Sequence, residues 1–165
     1  MEQGELLDME RVELLDIAVK AAKNAGVVIQ KCFHKGTAKV TYKDKHNIVT
    51  ETDKFSEIAI LETLQFVFPR HSYFSEEKGF IRGDEDCLWV IDPLDGTTNY
   101  AQGLLHFCVS IAFYYRRVAS VAVVYQPMRD ELFTAEAGRG AYLNRKRIEV
   151  GKTTELEKAV IMLNL

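Results

Sequence analysis

The chain has 165 residues, enough for one domain with a substantial core, because a chain of that size buries ~70% of its unfolded surface. Hydrophobic residues make up 47% and charged residues 27%, with 10 Gly and 3 Pro, which excludes disordered and collagen-like classes. With 21 Lys and Arg against 24 Asp and Glu, the net charge is −3, so no general field draws in nucleic acid or an anionic membrane, and an anionic substrate needs a local device.

The first eight residues are acidic, with no basic segment followed by an apolar one, so neither a secretory signal nor a transit peptide is expected. The longest apolar run, 104–115, contains His106 and Ser110 and falls short of the ~20 residues that span a bilayer. A soluble, cytoplasmic protein without a membrane partner is the expectation. Cys32, Cys87 and Cys108 are odd in number and lack paired spacing, which predicts reduced thiols rather than a zinc site or a redox pair.

Over residues 9–33, Leu14, Ile17, Ala18, Ala21, Ala25, Val28 and Cys32 recur with a helical period, which predicts a long amphipathic helix. Residues 37–42 alternate weakly, and the polar run 43–47 that begins at Lys43 reads as a loop. Thr52 and Asp53 precede Phe55, Ile58, Leu61 and Leu64, and the pattern stops at Pro69. This predicts a second helix with Asp53 as its N-cap, buried on more than one side.

After Pro69, runs rich in β-branched and aromatic residues at 72–74, 88–91, 107–115, 118–125 and 131–135 read as strands. Their short connections predict an antiparallel meander, with further turns at Gly138-Arg139-Gly140 and Asn144-Arg145-Lys146. The fold class is therefore α+β, two helices packed on a largely antiparallel sheet. Residues 159–163 read as the beginning of another strand.

The most informative segment is 89–100, WVIDPLDGTTNY. An apolar strand delivers Asp92 at its end, Pro93 stiffens the exit, Asp95 follows, and Gly96-Thr97-Thr98 opens a helical turn with unsatisfied amides. Neighbouring carboxylates repel unless a cation lies between them, and hard oxygen ligands with open positions suit Mg²⁺. The amides of Gly96 and Thr97 add an anion site, so a metal-bridged phosphate is the natural occupant. Each piece alone has a plainer reading. Asp-Pro and Asp-Gly are ordinary turn pairs, Glu76-Glu77 is a solvated strand end, and Lys43 is a solvated loop charge.

In combination, residues 48–53, Glu76-Glu77 and 89–100 resemble the inositol monophosphatase family of Mg²⁺-dependent, lithium-sensitive phosphatases. The similarity continues through 107–111 and 138–142, and Thr98-Asn99-Tyr100 is more similar to the inositol phosphatase branch than to the bisphosphate nucleotidases. The resemblance implies the first domain of a layered α/β/α/β/α fold and a homodimer. It implies that Glu76, Asp92 and the carbonyl of Leu94 bind one Mg²⁺, and that Asp92 and Asp95 reach a second. Glu76 and Thr97 would orient and activate a metal-bound water, Asp53 would hydrogen-bond the Thr97 hydroxyl, and the Gly96 and Thr97 amides would hold phosphate oxygens. Glu76, Leu94 and Asp95 would also border the bound phosphate monoester, and Lys43 is similar to a loop lysine near an outer metal.

Ser75 stands where the family more often has Gly. The resemblance further implies a second α/β domain that contributes another Asp to the second metal and most contacts to the substrate hydroxyls. The expectation is thus a phosphatase domain over 1–158, the start of a second at 159–165, and a fragment or truncated product. A sugar-bisphosphate or nucleotide-bisphosphate phosphatase is the enzymatic alternative, and a non-catalytic Mg²⁺-binding module the other. No nucleophile elbow, Walker loop or dinucleotide fingerprint is present.

Overall fold

The computed structural model describes residues 3–36, 40–42 and 48–161. The predicted loop at 43–47, with Lys43, lies outside the described residues, as do 162–165.

Helix α1 (Gln3–Lys35) carries a buried stripe of Leu14, Ala18, Ala21, Ala22, Ala25 and Ile29. Four of these six are alanines, so the helix axis can lie close to its neighbours. It packs on α2 (Glu51–Val67) and on the sheet. Gly26 extends this close approach, because a Cβ there would sit 2.4 Å from the Tyr125 ring. Between the helices lies a two-stranded antiparallel pair, β1 (Val40–Tyr42) and β2 (Ile48–Thr50).

The start of α2 differs from the sequence expectation. Thr50 is the N-cap and Asp53 is the third helical residue, and the two form a reciprocal capping box. Asp53 Oδ2 accepts from the Thr50 amide at 2.8 Å and from its hydroxyl at 2.6 Å. A Thr followed three residues later by an acid satisfies two orphan donors at once, which outweighs a cap at Asp53. The expected burial of α2 on several sides is also corrected. Ile60, Leu61 and Leu64 are buried, but Phe55, Ile58 and Phe66 are exposed, because the helix lies in an outer layer and has only one face on the core.

The sheet has eight strands in the order β10-β9-β8-β7-β6-β5-β3-β4. They are β3 (His71–Ser75), β4 (Gly79–Ile81), β5 (Asp84–Asp95), β6 (Cys108–Tyr115), β7 (Val118–Gln126), β8 (Glu131–Glu136), β9 (Gly140–Leu143) and β10 (Lys146–Ile148). From β5 to β10 the pairing is the expected antiparallel meander, and β3 joins β5 in parallel. The predicted strands at 72–74, 88–91, 107–115, 118–125 and 131–135 all appear with shifted ends. The additional strands β4, β9 and β10 are three or four residues long, too short for an alternation signal. Residues 159–161 follow a 3₁₀ turn, Leu156–Lys158, without entering a strand.

Along β5, Trp89 and Ile91 point to the helices and are buried with Val109, Ile111, Phe113, Val121 and Val123 from β6 and β7. Each fully buried side chain of this size contributes ~1.5–3 kcal/mol, so the strand that carries Asp92 is anchored by the core beside it. The Trp89 indole N–H donates to His71 Nδ1 at 3.1 Å. Cys32, Cys87 and Cys108 are free thiols.

Candidate active site

The site forms where β5 leaves the sheet. Antiparallel pairing with β6 is regular up to Asp92↔Ser110, is interrupted, and resumes at Asp95↔Cys108. The irregularity turns the 92–95 segment out of the ladder and gathers its carboxylates at one strand end. Gly96 follows with φ 86° and is the N-cap of the short helix α3 (Thr97–Ala101). Only glycine suits this position, since a Cβ would lie 2.6 Å from the His106 carbonyl oxygen in a conformation that L side chains rarely adopt.

Helix α2 holds this segment from below. The Ser56 hydroxyl donates to the Pro93 carbonyl at 2.6 Å, and the Thr52 hydroxyl and Tyr100 phenol are 2.9 Å apart. The Thr97 hydroxyl lies 2.9 Å from Asp53 Oδ1 and 2.9 Å from the Leu94 carbonyl. One hydroxyl proton serves two acceptors there, so Asp53, Leu94 and Thr97 are locked as a unit while the oxygen lone pairs of Thr97 remain directed elsewhere.

On the other side, β3 runs parallel to β5 with Ser75 opposite Ile91. The Glu76 amide donates to the Ile91 carbonyl at 3.2 Å, which sets Glu76 beside Asp92. The two carboxyl groups are close enough to interact electrostatically. Burial, then the charges of Glu76 and Asp95, push the Asp92 carboxyl up to about 7, opposed by the Leu94 amide that donates to Asp92 Oδ1 at 3.2 Å. Burial, and next the negative charge of Asp95, push the Cys108 thiol up to about 12. Its Sγ is 3.6 Å from Asp95 Oδ2.

The structure therefore brings together all the residues singled out from the sequence within described regions: Asp53, Glu76, Asp92, Leu94, Asp95, Gly96 and Thr97. The donor chemistry fits Mg²⁺, with carboxylate oxygens on Glu76, Asp92 and Asp95 and a carbonyl on Leu94. Burial, and next the neighbouring carboxylates of Glu76 and Asp95, raise the Asp92 pKa, a pattern that clusters at functional sites. Among the described residues, no three acidic, His or Cys side chains cage a single ion. That openness is ordinary for Mg²⁺, which binds through one or two carboxylates and keeps waters or substrate phosphates.

Sequence reasoning did not single out Ser56 or Glu57, and took Tyr100 only as part of the 98–100 motif. Glu57 is buried, and its Oε1 accepts from the Ser75 hydroxyl at 2.5 Å and from the Lys78 amide at 2.9 Å. Ser75 thus forms a tie to α2. A helical spacing of Asp53, Ser56 and Glu57 on one face was the available signal. Next to Asp95 and Gly96 an open groove of about 510 Å³ continues past His106, Cys108, Arg129 and Glu131.

With this geometry in view, the family pattern described as "Inositol monophosphatase family" matches residues 10–164. The chain belongs to the inositol monophosphatase family. It is 44% identical over 153 residues to Inositol monophosphatase 1 of Solanum lycopersicum, a match covering 90% of this chain and 56% of that protein. It is 43% identical over 150 residues to Nus factor SuhB of Escherichia coli strain K12, with the same two coverages. Among solved structures, the extragenic suppressor protein suhB of Bartonella henselae superimposes with a TM-score of 0.84 at 34% identity, over 86% of this chain and 55% of that one. The chain thus spans about half the length of these family members. Their names divide between a phosphatase and a Nus factor, so membership names the family and not the substrate.

Proposed function

We propose that this chain carries the catalytic strand ends of a Mg²⁺-dependent phosphomonoesterase that hydrolyses myo-inositol monophosphate or a similar polyol phosphate to the alcohol and phosphate. The observation that carries this reading is the joining of two limbs at one strand end. Asp53, Leu94 and Thr97 form a hydrogen-bonded unit, and Glu76, Asp92 and Asp95 form a mutually repelling carboxylate group beside it.

Glu76, Asp92 and the Leu94 carbonyl would hold one Mg²⁺, and Asp92 and Asp95 would reach a second; bound there, the metal would supply positive charge for phosphoryl transfer and lower the pKa of water. Glu76 accepts a proton from the attacking water, and the Thr97 oxygen orients that water. Asp53 keeps the Thr97 hydroxyl proton turned inward, so that its lone pairs face the reaction. The amides of Gly96 and Thr97 receive phosphate oxygens, with Gly96 permitting their close approach. No covalent phosphoenzyme is needed, because positioning and charge stabilisation suffice for in-line displacement.

In this reading the protein acts in the cytoplasm as a homodimer and is sensitive to lithium. The test is Mg²⁺-dependent phosphate release from inositol 1-phosphate, fructose 1,6-bisphosphate and adenosine 3′,5′-bisphosphate, with Asp92→Asn as the control. Release from inositol 1-phosphate by wild type alone supports the proposal. Preference for either bisphosphate moves the assignment within the family, and no release from a folded chain overturns catalysis by this chain.

A further inference from the structure

The loop that presents Glu76 is three residues long, between Ser75 and Gly79, which pair directly across the β3–β4 hairpin. Both flanks of Glu76 are tied to one atom. Glu57 Oε1 on α2 accepts the Ser75 hydroxyl at 2.5 Å and the Lys78 amide at 2.9 Å, while the Glu76 amide itself is held by the Ile91 carbonyl. Glu57 is 2% exposed. A carboxylate buried to that degree costs more than an apolar side chain filling the same space, unless its hydrogen bonds do something packing cannot.

The same face of α2 carries Asp53 one turn earlier, bonded to Thr97, and Ser56, bonded to the Pro93 carbonyl. One helix face therefore grips each limb of the site separately. We propose that Glu57 is a positioning residue that clamps the 75–78 loop, fixing the Glu76 carboxylate against Asp92 and so setting the affinity for the divalent cation. This rests on the metal-site reading above. Hydrogen-bonded supports of metal ligands characteristically govern affinity by about 10–100-fold.

The test compares wild type, Glu57→Ala, Glu57→Gln, Ser75→Ala and the core control Ile60→Ala by two readouts. One is backbone hydrogen exchange at the Lys78 amide in the metal-free chain. The other is Mn²⁺ affinity measured by electron paramagnetic resonance. Glu57→Ala is expected to lose protection at Lys78 and to weaken Mn²⁺ binding by about 10-fold or more. Glu57→Gln retains an acceptor oxygen and is expected to restore both. Ile60 is fully buried on the same helix, so Ile60→Ala is expected to lower the melting temperature while leaving Mn²⁺ affinity unchanged.

Wild-type protection and affinity in Glu57→Ala, or an equal loss of affinity in Ile60→Ala, overturns the clamp. If Glu57→Ala does not fold, Ser75→Ala decides, with weaker Mn²⁺ binding expected and unchanged binding contrary to the inference. A folded wild type that holds no Mn²⁺ overturns the metal-site reading itself, and Lys78 protection then still decides whether the clamp exists.

Discussion

Asp53 is the residue on which local structure and chemistry meet. One carboxylate oxygen closes the capping box of α2 and the other accepts the Thr97 hydroxyl, although the side chain is 2% exposed. Asp53→Ala strands the Thr50 amide and hydroxyl and leaves the Thr97 hydroxyl only the Leu94 carbonyl. The expected cost is ~1–3 kcal/mol, measured by urea denaturation against Lys54→Ala, an exposed neighbour expected to stay near wild type. Asp92 has the opposite balance. Its carboxyl titrates near 7 in the folded chain against 3.8 ordinarily, so over that interval the native state binds more protons than the unfolded one. The contribution of Asp92 to the stability of the metal-free protein is therefore expected to fall as pH rises from about 4 to about 7. Asp92→Asn is expected to flatten that decline and to raise the melting temperature at neutral pH in chelator. An unchanged pH profile in the variant would show that Asp92 does not carry that decline.

At the scale of elements, α1 and β7 meet at Gly26, where the Tyr125 ring leaves no room for a methyl group. Gly26→Ala removes the helix-weakening glycine, worth up to ~1 kcal/mol, but overpacks a contact whose ring is also tethered by its phenol to Asp130 at 2.9 Å. Overpacking costs ~1–3 kcal/mol, so a net loss of stability is expected in thermal denaturation, and a net gain would show that the ring can yield. The elements themselves were legible where periodicity was long, as in α1, α2 and the meander from β6 to β8. The start of α2 was misplaced because Thr52-Asp53 and Thr50 offer competing caps, and only the reciprocal bonds decide between them. The exposed Phe55 and Ile58 were read as buried, since composition reports how apolar a helix is and not how many neighbours it has. The parallel insertion of β5 beside β3 is a long-range pairing that no local pattern encodes.

For the molecule as a whole, the site was legible because its chemistry is concentrated in a contiguous stretch, 92–97, whose turn residues also have unusual backbone demands. What the sequence concealed is how remote residues enforce it. Glu57 and Ser56 look like ordinary polar positions on a helix, and their importance arises only when α2 is laid beneath the ends of β3 and β5. No helix among the described residues is long and apolar enough to cross a membrane. The central claim is that Glu76, Asp92, Leu94 and Asp95 create a divalent-cation site within this chain. Its most direct test is calorimetric titration of the metal-free 165-residue chain with Mg²⁺, beside Asp92→Asn. Saturable binding that the substitution abolishes is the result this account predicts. Absence of binding in the folded wild type, or binding of equal strength in Asp92→Asn, would contradict it.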